Sequence, residues 1–137
     1  MAQNPKSEAR NPKQAQNDEA QNPKRYDLEE RTFEFAKRVR AFVKKLPRTL
    51  ANIEDSRQLI RASGSVGANY IEANEALSKK DFLMRIKICR KESKESRFFL
   101  RLLDTGDNAE IETERMELVQ EAHELTSIFG SIVRKSE

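Results

Sequence analysis

Tryptophan is absent, and cysteine and histidine occur once each, as Cys89 and His123. A lone cysteine closes no internal disulfide, so the chain is compatible with a reducing cytoplasm. With one histidine there is no Glu-x-x-His pair, the ligand set by which helix bundles hold two metal ions; no metal or other cofactor is expected. A nucleophile–base pair of Cys89 and His123 lacks a third group to orient it. Glycine and proline occur four times each, and no glycine-rich phosphate loop follows a strand. Aromatics make up 7% of the residues, which favours helices over sheets, because strands are enriched in aromatic and β-branched residues. No apolar run reaches the roughly 18 residues of a membrane span, and no apolar signal-peptide core opens the chain. The expected protein is a soluble cytoplasmic non-enzyme with no membrane partner.

What is present is charge. Charged and hydrophobic residues each make up 36% of 137 residues, with a net charge of +3. That length fits one domain. Residues 1–25 hold three of the four prolines and repeat Asn-Pro-Lys three times, at Asn4, Asn11 and Asn22. They have little to bury against the roughly 1–2 kcal/mol per residue that ordering the backbone costs. A disordered N-terminal tail is expected there, with 26–137 as the folded domain.

Four helical patterns follow. The first runs from about Leu28 to Lys45, with Asp27 as a cap. Phe35, Val39, Phe42 and Leu46 recur at helical spacing, widened by Phe33, Ala36 and Val43; Pro47 ends the element. Residues 47–54 read as a connection, with Leu50 and Ile53 tucked inward. The second helix, about Asp55 to Ala76, carries the stripe Leu59, Ala62, Val66, Asn69, Ala73, Ala76. Gly64 and Gly67 each cost it about 1 kcal/mol against alanine, which points to a close helix approach or a kink. The third, about Lys79 to Leu103, is capped by Ser78. Its stripe Phe82, Ile86, Cys89, Ser93, Ser96, Leu100, Leu103 is a seven-residue repeat. The turn Asp104–Ala109 leads to a fourth helix, about Ile111 to Arg134, with Leu118, Ala122, Leu125, Phe129 and Ile132 buried. Short links between amphipathic helices imply an all-α, antiparallel up-and-down four-helix bundle.

Two sets of residues are candidates for function. Residues 79–103 carry nine Lys or Arg against three acids, and residues 104–137 carry the reverse. Lys87, Arg90, Lys94, Arg97 and Arg101 step along one face of the third helix, with Lys80 in support. Such a row suits nucleic-acid phosphates, giving affinity without sequence readout. The same row also suits an acidic helix, in this chain or in a neighbouring copy. The second set is Asn69, Glu72, Glu92 and Glu95, with Glu92 and Glu95 set where apolar residues are expected. Buried polar groups of this kind fix register or subunit pairing in helical assemblies, so these residues read as a structural polar lock.

The run S-V-G-A-N-Y-I-E-A (Ser65 to Ala73), with S-K-K-D-F (Ser78 to Phe82) and K-E-S-K-E-S (Lys91 to Ser96), resembles the four-helix bundle family of 23S rRNA intervening-sequence proteins. The accessory variability proteins of diversity-generating retroelements look like relatives. The resemblance covers about Tyr26 to Lys135. The chain departs from many members after Glu72, where Ala73-Asn74-Glu75-Ala76 replaces a glycine-containing turn. The resemblance implies a bacterial homo-oligomer, a homopentamer. By analogy with the retroelement relatives, it also implies a basic surface for RNA or DNA and a reverse transcriptase as partner.

Overall fold

The computed structural model describes residues 28–137. The expected tail and the Asp27 cap lie outside the described residues. The chain divides into two units, Met1–Arg31 and Thr32–Glu137. Four helices are described: α1 (Leu28–Val43), α2 (Leu50–Asn74), α3 (Lys79–Leu102) and α4 (Ala109–Ser136).

Each helix start within Thr32–Glu137 has a polar side chain that accepts an otherwise orphaned backbone N–H. Thr49 accepts from Asn52 N, Ser78 from Asp81 N and Asn108 from Ile111 N. Thr49 corrects the expected start of the second helix. With Thr49 extended and capping, the helix begins at Leu50 rather than Asp55. Leu50 then sits in an exposed first turn and is 78% exposed instead of tucked inward. Asn52, on the other side of that turn, is the buried residue. Phe33, expected to widen the α1 stripe, is also exposed.

Cross-helix pairs fix the topology. From α1 to α2, Thr32 lies by Gly67 and Arg40 by Gly64. From α2 to α3, Arg85 meets Asn69, Cys89 meets Val66 and Arg61 meets Glu92. From α3 to α4, Lys87 meets Glu137, and Arg115 meets the carbonyls of Arg101 and Leu103. From α1 to α4, Arg38 meets Glu117 and Lys45 meets Glu114. In every pair the number rises on one helix as it falls on the other, so the bundle is up-down-up-down and closes on itself.

The core is made by Phe35, Val39 and Phe42 of α1, Leu59 and Val66 of α2, Ile86 and Leu100 of α3, and Leu118, Leu125 and Phe129 of α4. Tyr70 and Phe129 cross the bundle with ring centroids 5.8 Å apart. Gly67 permits a close approach: a Cβ there would lie 2.9 Å from Thr32 Oγ1 and 3.3 Å from Thr32 Cβ. The α4 stripe ends on Val133, which is buried, while Ile132 is only half-buried.

Candidate nucleic-acid interface and polar lock

The expected lock divides into two clusters on the α2–α3 seam. Nearer the Ser78 end, Arg85 Nη1 donates to Asn69 Oδ1 at 2.9 Å, and Asn69 Nδ2 donates to Ser65 O at 2.9 Å. Further along, Arg61 spans the seam. Its Nη1 donates to Glu92 Oε1 at 3.4 Å and its Nη2 bonds Glu95 Oε1. Glu92 is buried and Glu95 half-buried. Glu72 is exposed and takes no part in either cluster's hydrogen bonds.

Burial pushes the Glu92 carboxyl above its ordinary value, and its hydrogen bond with Glu95 pushes the same way. Arg61 and Lys91, whose Nζ lies 3.9 Å from Glu92 Oε2, pull it back down. Two carboxylates share one guanidinium here, so the second carboxylate is under-compensated. Among the described residues no group of three or more His, Cys, Asp and Glu is placed to hold a metal ion. Cys89 is fully buried, its Sγ bonded to Val66 O at 3.4 Å, and burial pushes its thiol up to about 12. A thiol held protonated is inert as a nucleophile. His123 stands exposed on α4.

The basic row is not uniform. Lys80, Lys87, Lys94 and Arg101 are exposed. Arg90 and Arg97 are half-buried. A Cβ on Gly130 of α4 would lie 3.7 Å from Arg90 Cδ, so the arginine stem runs across that glycine. Arg97 Nε is buried and takes no hydrogen bond among the described residues. Lys87 Nζ lies 3.7 Å from Glu137 at the end of α4. The row therefore borders the α3–α4 groove, and its exposed members alternate with side chains drawn into the bundle.

Three polar residues matter more than the sequence pattern shows. Asn52 donates to Pro47 O and to Asp104 O, both at 2.9 Å, and accepts from Asp104 N at 3.0 Å. It ties together two loops at one end of the bundle. Gly106 belongs to the same junction: φ is +69° and a Cβ would lie 2.8 Å from Pro47 Cγ. Arg115 Nη1 donates to Arg101 O at 3.1 Å and Leu103 O at 2.8 Å, covering carbonyls at the end of α3. Arg61 is the cation that pairs with buried Glu92 and half-buried Glu95. Glu92 and Glu95 in an apolar face signalled a missing cation; no comparable signal marked Asn52.

The profile of the 23S rRNA-intervening sequence protein family fits residues 24–131. The chain belongs to that family. A solved structure of similar form is a protein of unknown function from the S23 ribosomal protein family of Bacteroides thetaiotaomicron. It is 28% identical, with a TM-score of 0.66, and the match covers 77% of this chain and 97% of that one. A search of curated proteins returns no match. The expected family and the expected antiparallel bundle are thus both found. Among the described residues no helix is long and apolar enough to cross a membrane.

Proposed function

We propose that this family member is a non-enzymatic, oligomeric bundle that binds RNA or DNA through backbone phosphates along α3. The observation that carries the reading is the exposure of Lys80, Lys87, Lys94 and Arg101 on a helix segment of charge +6. Lys94 and Arg101 are its main contacts, since Arg90 and Arg97 are partly drawn into the bundle. Phosphate contacts by exposed cations release counterions, so affinity falls steeply with salt and is nearly indifferent to sequence. A homopentamer in the cytoplasm is the assembly and setting that the family resemblance implies, and repetition of the row in each copy would multiply weak contacts.

Filter binding with a structured RNA, at about 50 mM and about 200 mM salt, tests this. Binding at low salt that weakens at least tenfold in the Lys94→Glu/Arg101→Glu variant is expected. Absence of binding at low salt, or unchanged affinity in the variant, refutes it.

A second reading is an interaction ring, including a reverse-transcriptase accessory scaffold, in which the basic face of α3 meets the acidic α4 of a neighbouring copy. The opposite charges of the two helices favour it. Glu114 and Glu117 of α4, however, already pair with Lys45 and Arg38 of α1, which leaves fewer acids to offer. Light scattering separates the two: dissociation of Lys94→Glu/Arg101→Glu with no loss of RNA binding supports the ring.

A further inference from the structure

We propose that the outward face of α3 docks an acidic amphipathic helix of a partner protein. The partner helix would lie over Leu83, Met84 and Ile88 between Lys80, Lys87 and Lys91. These six side chains line a groove of about 470 Å³, all on one helix and turned away from the core stripe. Met84 is 47% exposed. Exposed apolar residues recur further along α3, beyond the charged residues Lys91 and Glu95. Met84, Ile88, Lys91, Glu95, Phe98 and Leu102 step 4-3-4-3-4 along α3, and Phe98 and Leu102 are 54% and 52% exposed. One helix thus carries two heptad rows. The inner row, through Ile86, Cys89, Ser93 and Leu100, is buried in the bundle. In the outer row Glu95 pairs with Arg61 of α2, while Met84, Phe98 and Leu102 stay about half exposed. Exposed apolar side chains three and four residues apart on one helix are the kind of surface on which an amphipathic helix docks.

Charge identifies the occupant. The groove lining holds three lysines and no acid. An apolar ridge flanked by Asp and Glu would bury Leu83, Met84 and Ile88 while pairing the lysines at the rim. Nucleic acid fits this face less well than it fits the Lys94–Arg101 row. Phosphates gain nothing from an aliphatic floor, and the nearest aromatic pair, Phe98 and Phe99, is already packed edge to face at 5.2 Å. A second copy of this chain is also a weaker fit. Its most acidic helix, α4, already engages Glu114 and Glu117 with α1 and Glu112 with Arg115. The inference goes beyond the nucleic-acid reading: the two share Lys80 and Lys87, and Lys94 and Arg101, the main phosphate contacts of that reading, do not line this groove.

Fluorescence anisotropy on the full chain tests it. The probe is a labelled synthetic helix of about 18 residues, with leucines at i, i+4, i+7 and i+11 and glutamates on both flanks. The control has lysines in place of the glutamates. The acidic probe should bind and the control should not. Met84→Gln and Lys87→Glu, on an exposed face, should each leave thermal unfolding unchanged and together weaken the probe about tenfold or more. Lys94→Glu/Arg101→Glu should leave probe binding within about twofold, although it weakens RNA binding at least tenfold under the nucleic-acid reading. Failure of the acidic probe to bind, equal binding of the lysine control, or indifference to Met84→Gln/Lys87→Glu overturns the proposal. A change of assembly mass in that variant also overturns it, since the face would then belong to a second copy.

Discussion

The α2–α3 seam and the α1 and α4 sides of the bundle are built from different material. On α1 and α4 the buried residues are large and apolar: Phe35, Phe42, Leu118, Leu125 and Phe129. On α2 and α3 small or polar residues are buried beside Leu59, Ile86 and Leu100: Ala62, Ser63 and Ala73 on α2, and Cys89, Glu92, Ser93 and Ser96 on α3. The serines cost little there because their hydroxyls bond within their own helices. Ser93 donates to Cys89 O and Ser96 to Glu92 O, both at 2.8 Å, and Ser63 donates to Ile60 O at 3.2 Å. One side of the bundle is held by buried volume. The other relies more on matched polar groups, which also fix the axial register of the two helices.

The sharpest way to break the comparison is to remove volume from the apolar side. Phe42→Ala should destabilise by about 3–5 kcal/mol, the usual cost of a large cavity, read by urea unfolding. A much smaller loss would mean that the phenylalanine side does not dominate. Asn52→Ala probes the polar logic at the bundle end. It leaves Pro47 O and the Asp104 backbone without their partner, and should cost about 2–3 kcal/mol. Faster hydrogen exchange at the Asp104 amide should accompany it.

The smallest effect concerns Glu92. Its carboxyl holds a proton more tightly in the folded chain than in the unfolded one. Between the unfolded and folded values the folded state binds more protons, so stability falls as pH rises through that window and recovers on acidification. Ordinary carboxylates stay ionised above about pH 5. The melting temperature should therefore rise modestly as the pH is lowered from about 7 towards the ordinary carboxylate range. Glu92→Gln should flatten that rise. An equal rise in the variant would place the titrating group elsewhere.

Much of the candidate site was legible before the fold. Glu92 and Glu95 stood out because they interrupt an apolar face, and the α3 cations because they repeat every three and four residues. The second helix was less legible, since Pro47 masked a start that Thr49 supplies two residues on. Nor did the spacing show that Arg90 and Arg97 are half-drawn into the bundle while Lys94 and Arg101 are not. A side chain's period fixes its face, but not whether a neighbour such as Gly130 leaves room for its stem.

By itself the sequence determined the helices, the inner stripes, the caps at Ser78 and the opposite charges of α3 and the chain end. These depend on residues three to seven apart, where helical geometry ties sequence to space. Only the tertiary structure decided that Arg61 serves Glu92 and Glu95 from 31 and 34 residues away, or that Asn52 and Asp104 join across 52. Those pairings follow from the axial register of one helix against another. That register is set by which side chains meet across two helices, which no local pattern encodes.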